Sequence, residues 1–245
     1  MGESYGRWRL GDDQNVMPWV TSANIACGFH AGDPATMRAS VRLAIEHGVG
    51  IGAHVGLPDR LGFGRRRIDI SSEEVRDYAA YQIGALQAFV VAEGGRLAHV
   101  KPHGALYALC SAENEHAAAL AHAIAGIDAS LRLVLLSRHV EPTVQAHGVR
   151  LVVEAFPDLA YRPNGQLVIE PVKRSWDPEH VARRAVRIVR EQRIDATDGT
   201  DLEVDASTLC VHGDAPNAAE IARTVRQGLE RADVTVKPLR DPHAR

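Results

Sequence analysis

The sequence predicts an α/β fold built on a parallel β-sheet, with its polar residues gathered along one edge. Short apolar segments alternate with amphipathic helical patterns along the 245 residues, as in repeated βα units. The apolar segments are nearly continuous, which is typical of parallel strands that are covered on both faces. We predict strands over residues 20–26, 49–54, 97–101, 131–136, 149–155 and 208–212.

The length favours a single domain. At 45% hydrophobic residues the chain can bury a large core, and α/β barrels of this size are normally one domain. We therefore predict one domain over residues 1–245, ending in a solvated tail over 238–245. The segment 157–176 is the least regular stretch, and its turn at 163–165 predicts a short hairpin or a lid.

The helices carry recognisable start signals. Ser71 and Glu74 form a capping-box pattern before a long amphipathic segment. Residues 113–124 are rich in alanine and predict a further helix. The other start signals are Asp33 before Pro34, Asp177 before Pro178, and Asp214 before the last helix.

Composition excludes several classes of protein. The net charge is −3 and both signs are mixed throughout, so the chain lacks the basic surface of a nucleic-acid-binding protein. Three cysteines without a C-x-x-C spacing argue against a disulfide framework and fit a reducing compartment. No apolar segment has the length of a membrane span, and the polar start does not resemble a signal peptide. We expect a cytoplasmic protein.

Histidines at strand ends are the clearest functional signal. His30, His54 and His103 each lie at the end of a strand-like segment with glycine or proline within two residues, while His212 shows a weaker form of the pattern. The carboxyl ends of parallel strands meet at one edge, where α/β proteins carry their active sites. We therefore predict that at least two of these histidines share one site.

Other polar residues fall at the same predicted edge. Lys101 precedes a proline at a strand end, where a desolvated ammonium can hold an anionic group. Asn24 lies within an apolar strand and needs a hydrogen-bond partner or a ligand. Glu154 ends another strand, and the glycine-rich loop after His54 carries Asp59 and Arg65.

The residues do not decide whether the site binds a metal. Converging imidazoles suit zinc or another transition metal, with His30, His54 and His103 as the candidate ligands, but no H-E-x-x-H motif is present. The glycines near residue 50 do not complete a dinucleotide fingerprint and no P-loop motif occurs, so the residues alone indicate no ATP site. Cys27 is interpreted as an inert buried thiol.

Several long motifs resemble the LamB/YcsF family. They are SANIACGFHAGDP at 22–34, GAHVGLPDRLGFGRR at 52–66, VKPHGALY at 100–107, and the shorter QIGAL, EAF and VHGD. The match extends from Gly2 to about Val236. The resemblance implies a seven-stranded (β/α) barrel of the glycoside hydrolase/deacetylase type. It also implies an ATP-dependent 5-oxoprolinase activity, which opens 5-oxo-L-proline to L-glutamate, with ATP (and Mg) and with subunits B and C as partners.

This resemblance suggests roles for the strand-end residues. A histidine pair would position or deprotonate a water, or bind a metal, while a lysine would stabilise developing negative charge. The remaining residues would bind and orient the lactam ring. The catalytic set is then His54, His103 and Lys101, and the substrate-binding set is Asn24, His30, Asp59, Arg65, Glu154 and His212.

Two departures from the family pattern set further expectations. Family members open with an Asp-Leu-Asn-x-Asp-Leu-Gly-Glu strand, whereas this sequence begins at Gly2-Glu3, so we expect the first barrel strand and its acidic residues to be absent. The family's Phe-Ala-Asp-Arg is replaced by residues 156–159, Phe-Pro-Asp-Leu. Two other hypotheses stay open: a metal-dependent deacetylase or hydrolase on the same barrel, and a non-catalytic binding subunit.

Overall fold

A six-stranded parallel sheet forms the centre of the fold. The computed structural model describes residues 1–170 and 172–239. The strands pair in the order β1-β2-β3-β4-β5-β8, so that each lies beside the next of the set, as in a half-barrel. An antiparallel hairpin, β6 with β7, stands apart from this sheet. The strands are β1 (Ser22–Ala26), β2 (Gly50–Val55), β3 (Leu97–Pro102), β4 (Arg132–Leu135), β5 (Arg150–Ala155), β6 (Arg193–Asp195), β7 (Asp201–Glu203) and β8 (Thr208–Leu209).

Helices connect most of these strands. Among the described residues they are α1 (Asp13–Val16), α2 (Pro34–Glu46), α3 (Ser72–Ala92), α4 (Gly104–Ala112), α5 (Asn114–Asp128), α6 (Glu141–Gln145), α7 (Pro178–Glu191) and α8 (Ala218–Arg231), with 3-10 turns at Met17–Trp19 and Arg138–Val140. None of them combines the length and the hydropathy that a bilayer span requires.

Most predicted elements are confirmed. Each of the six predicted strand segments contains a strand, although the last is only two residues long. Asp33 caps α2 by accepting a hydrogen bond from the Thr36 N–H, and Ser71 and Glu74 form the complete capping box of α3. Asp177 caps α7 in the same way.

The predicted cap of the last helix is wrong. α8 begins at Ala218 with Asn217 before it, whereas Asp214 lies in the preceding loop and pairs with Arg65. The partly buried Arg65 guanidinium is a stronger partner for this carboxylate than a helix end. The sequence patterns also did not predict α4 or the β6–β7 hairpin.

The core lies between the sheet and the helices that cover it. Val41 of α2, Ile83 of α3 and Ile124 of α5 are fully buried in one continuous cluster with the strands. Burying an aliphatic side chain of this size stabilises the fold by about 1.5–3 kcal/mol. The apolar faces of the helices thus pack on the sheet, and loops surround its carboxyl edge.

The two outer strands of the sheet face a shared cavity. Residues of β1 and of β8 both line it, together with Pro238 and Leu239, which are half-buried. The rest of the predicted solvated tail, 240–245, lies outside the described residues. The first residues run beside β1, since the Met1 amine donates to the Asn24 carbonyl at 2.9 Å and the Ala26 N–H donates to the Met1 carbonyl at 2.9 Å.

Candidate functional site

The carboxyl edge of the sheet opens onto a cavity of about 570 Å³. Sites for small molecules occupy roughly 300–1,000 Å³, so the cavity fits a metabolite. The strand register brings predicted residues together here, because His54 of β2 lies opposite Lys101 of β3. Of the predicted site residues, Asn24, His54, Arg65, Lys101, His103, Glu154 and His212 line the cavity.

Three predicted histidines form one cluster beside the cavity. The rings of His30 and His103 stack with their centroids 3.9 Å apart, and the His54 ring lies 4.8 Å from that of His103. His103 Nδ1 lies 3.1 Å from His54 Nε2. Gly64, with a φ of 64°, packs under this cluster, because a Cβ there would come within 2.9 Å of His30 and His103.

Backbone carbonyls orient two of these rings. His54 Nδ1 lies 2.9 Å from the Lys101 carbonyl oxygen, and His103 Nε2 lies 2.7 Å from the Phe63 carbonyl oxygen. A carbonyl only accepts hydrogen bonds, so both of these nitrogens carry a hydrogen. The other nitrogen of each ring, His54 Nε2 or His103 Nδ1, is then the basic one.

Burial keeps the cluster uncharged at neutral pH. It lowers the pKa of His103 to about 3 and the pKa values of His30 and His54 well below their usual range, and the neighbouring histidines lower them further. Neutral imidazole is the form that accepts a proton or binds a metal.

Glu3, the last acidic residue of the family's opening motif, joins this cluster. One donor atom from each of Glu3, His30, His54 and His103 lies within 4.8 Å of all the others, a group able to hold a metal ion. Glu3 reaches the cluster because the first residues run along β1. The pair Gly2-Glu3 was the available sequence signal, since it matches the Gly-Glu that ends the family's opening strand.

A buried ion pair forms the second part of the site. Lys101 Nζ lies 2.6 Å from Glu154 Oε2, and both side chains are almost fully buried. Burial opposes the charge on Lys101, but Cys210 and Glu154 outweigh it and raise the pKa of the lysine. Burial also raises the pKa of the Cys210 thiol to about 12, so at pH 7 the Glu154 carboxylate is the group that holds the ammonium.

Two oxygens at this pair lack a well-formed hydrogen bond. Glu154 Oε1 and the Tyr107 hydroxyl are both buried, and although the two side chains interact, neither atom has a partner of good geometry among the described residues. Leaving such a group unpaired costs about 1–3 kcal/mol. Because both residues line the cavity, a bound ligand is the natural partner for these oxygens.

Asn24 finds its partner inside the protein. Its Oδ1 lies 2.8 Å from His99 Nε2, and His99 packs against Gly52 of the neighbouring strand, where a Cβ would collide with the ring. Burial lowers the pKa of His99 to about 3, so the neutral ring donates to the amide oxygen. This bond holds the Asn24 side chain in place at the cavity wall.

Charged residues surround the opposite wall. Arg65 donates to Asp214 at 2.6 Å, and the His212 ring lies 3.0 Å from Asp158, whose carboxylate also accepts from the His212 N–H. Sequence reasoning did not single out Asp158 as a site residue. It belongs to the Phe-Pro-Asp-Leu segment that departs from the family pattern, and it fixes His212 in the cavity wall.

Lys173 is a further cavity residue that the sequence did not indicate as a binding group. It is buried, and that burial lowers the pKa of its ammonium despite the nearby Asp158 and Asp214 carboxylates. No hydrogen bond or ion pair of its Nζ is found within residues 1–170 and 172–239. The ammonium is therefore placed to receive an anionic group from a ligand.

Asp59 lies away from the cavity wall. Its carboxylate accepts from the Gly62 N–H and from the Arg66 guanidinium, each at 2.9 Å. The Arg66 guanidinium and these backbone contacts lower the pKa of Asp59. In this structure the residue shapes the loop that brings the Phe63 carbonyl to His103.

The fold and the site together define an α/β protein with a polar small-molecule site at the carboxyl edge of a parallel half-barrel. The family model of the LamB/YcsF family matches residues 1–244. The chain belongs to this family. A curated relative from one strain of Thermus thermophilus, which is named as the A subunit of 5-oxoprolinase, is 52% identical over 239 residues, covering 96% of each chain.

A solved structure agrees with this assignment. A lactam utilization protein from a second strain of Thermus thermophilus aligns with a TM-score of 0.88 at 49% identity, covering 97% of this chain and 96% of the other. A candidate cellobiose-phosphate cleavage protein from Enterococcus faecalis aligns with a TM-score of 0.50 at 11% identity, covering 93% and 91%. The second likeness shows a shared fold alone.

Proposed function

We propose that this chain is the A subunit of an ATP-dependent 5-oxoprolinase, which hydrolyses 5-oxo-L-proline to L-glutamate with cleavage of ATP. The carrying observation is the buried Lys101–Glu154 pair, whose free carboxylate oxygen faces a cavity of metabolite size beside His54 and His103. Curated relatives about 50% identical bear the same name.

The chemistry explains why ATP is needed. The carbonyl carbon of a lactam is a poor electrophile, and phosphorylation of the carbonyl oxygen by ATP supplies a leaving group before water attacks. One ATP and two waters are consumed, and L-glutamate, ADP and phosphate are formed. Donors and cations near the reacting oxygen then stabilise the charge that develops on it.

We assign the roles from the contacts within the cavity. Lys101 faces the lactam oxygen and stabilises negative charge, while Glu154 Oε1 accepts the hydrogen of the lactam N–H. The unprotonated nitrogens of His54 and His103 position the attacking water. The side chains of Asn24, Arg65 and His212 form the part of the cavity wall against which the lactam ring lies. His30 and Asp59 act on the substrate only through the residues that they support.

The proposal extends to the assembly and the fold. ATP, with Mg, and subunits B and C complete the reaction, and the enzyme works in the cytoplasm. The proposed architecture is a seven-stranded (β/α) barrel of the glycoside hydrolase/deacetylase type, to which the described sheet contributes six strands. The cavity between the outer strands β1 and β8 supports this arrangement.

Reconstitution tests the proposal. When the chain is co-expressed with subunits B and C, we expect L-glutamate to form from 5-oxoproline in step with ADP, and only when ATP is present. A mixture without this chain is the control. A complete mixture that releases no glutamate contradicts the proposal, and turnover of an acetylated sugar without ATP supports the deacetylase hypothesis instead.

We expect Lys173 to bind the substrate's carboxylate. Replacing it by glutamine removes a charge-assisted hydrogen bond of about 1.5–3 kcal/mol, so KM for 5-oxoproline rises about 10- to 100-fold while kcat changes less. The matched control is Arg174→Gln, which removes an exposed charge next to it and leaves KM unchanged. Equal effects of both variants on KM would exclude this role for Lys173.

A further inference from the structure

The facing nitrogens of His54 and His103 present an electrostatic conflict. His54 Nδ1 and His103 Nε2 carry the hydrogens that are donated to backbone carbonyls, so the nitrogens that face each other at 3.1 Å are both lone-pair acceptors. Two acceptors at this separation repel each other. The contact is stable only when a positive charge lies between or beside them.

A metal cation supplies that charge, because it binds lone pairs directly. The Glu3 carboxylate stands in the same group of donor atoms and offsets part of the positive charge. The orientation of the rings also matches metal ligation, because metal-bound histidines usually donate their second N–H to a carbonyl or carboxylate.

We propose that Glu3, His30, His54 and His103 bind one divalent transition-metal ion, with zinc as the best match to three imidazoles and one carboxylate. Zinc bonds of about 2.0–2.2 Å put neighbouring ligand atoms roughly 3.3–3.6 Å apart in a tetrahedral site. The four donor atoms lie within 4.8 Å of one another, so a contraction of about 1 Å closes the site.

His30 supplies independent evidence for a ligand. Its side chain is fully buried, yet neither ring nitrogen has a hydrogen-bond partner among the described residues. The ring stacks on His103 with the planes only 9° apart, so both rings cannot direct lone pairs at one ion until His30 turns. No hydrogen bond within the described part of the chain opposes that rotation.

The inference deepens the proposed function at the same site but does not depend on turnover. With the four protein ligands in place, a water would enter as a fifth ligand, and the ion rather than the His54 and His103 nitrogens would lower its pKa and make it a nucleophile. The chain's own contribution is to supply three imidazoles, to fix two of them through the Lys101 and Phe63 carbonyls, and to add one carboxylate.

Metal binding to the isolated full chain tests the proposal without ATP, 5-oxoproline or partner subunits. After treatment with a chelator, we expect the wild-type chain to take up about one Zn²⁺ per chain and to gain thermal stability from it. Co²⁺ should give the visible absorption of a tetrahedral site. His54→Asn and His103→Asn should each weaken Zn²⁺ binding at least tenfold.

Two further variants keep the test decisive. Glu3→Gln preserves shape, so it separates loss of a ligand from loss of folding, and we expect it to weaken Zn²⁺ binding and abolish the stability gain. His122→Asn removes an exposed histidine of α5 that is not part of the cluster, and this variant should bind Zn²⁺ like wild type. The proposal is overturned if the wild type takes up no Zn²⁺, or if the cluster variants bind it as tightly as wild type. Failure of the glutamate assay alone leaves these measurements unaffected.

Discussion

Lys101→Met is expected to destabilise the fold and to abolish activity, for separate reasons. Removing the ammonium leaves the Glu154 carboxylate buried without its partner, which lowers the free energy of unfolding by about 3–5 kcal/mol. Loss of the charge beside the lactam oxygen lowers kcat/KM by roughly 10²–10³-fold or more, as for removal of an oxyanion-hole donor. Urea unfolding and the glutamate assay measure the two effects.

The double variant Lys101→Met/Glu154→Met separates stability from catalysis. Replacing a whole buried ion pair by apolar side chains of similar volume is often neutral or stabilising, so we expect most of the lost stability to return while activity stays absent. As a control, Arg42→Met removes an exposed pair with Glu93 and should leave the unfolding midpoint unchanged. Activity recovered in the double variant would contradict the role of Lys101.

Gly104→Ala is the second substitution for which we expect a large effect. Gly104 has a φ of 54°, and a Cβ there would collide with the Gly64 carbonyl oxygen. The left-handed conformation costs about 1–2 kcal/mol for a non-glycine residue, and the overlap adds about 1–3 kcal/mol. The free energy of unfolding should fall by about 2–5 kcal/mol.

A second glycine provides the matched control for this prediction. Gly126 lies within α5, and a Cβ there would contact nothing within 4 Å. Gly126→Ala should therefore stabilise the protein by about 0.5–1 kcal/mol through helix propensity. If Gly104→Ala proves as harmless in the same urea titration, the contact of Gly104 with the Gly64 carbonyl does not constrain the backbone.

Local sequence patterns were sufficient to predict which residues lie at the carboxyl edge of the sheet. His54 and Lys101 each end an apolar segment, and the parallel register then places them side by side. The same reasoning brought His30 and His103 to that edge. Helix caps such as Asp33 and Ser71 were also predictable, because the cap and its partner lie within four residues.

The remaining features depend on contacts between distant segments. Glu3 reaches the histidines only because the first residues run beside β1, and Asp214 leaves its expected helix to pair with Arg65, 149 residues away in the chain. Asn24 was expected to need a hydrogen-bond partner, but only the sheet register shows that this partner is His99. Lys173 lies in an irregular loop, where no periodic pattern indicates which side chains turn inward.

The orientation of the histidine cluster has a consequence for how the site tolerates mutation. The hydrogens of His54 and His103 are fixed by carbonyls of the main chain, which every amino acid possesses. Side-chain substitutions at positions 63 or 101 therefore cannot remove these acceptors. The path of the backbone determines which nitrogen of each imidazole carries the hydrogen and which stays basic. That choice is vulnerable where the path itself is demanding, at Gly64 and Gly104 and also at Phe63, whose φ of 54° is left-handed. Substitutions at position 63 should accordingly favour residues that adopt a positive φ readily, such as glycine or asparagine, over β-branched ones.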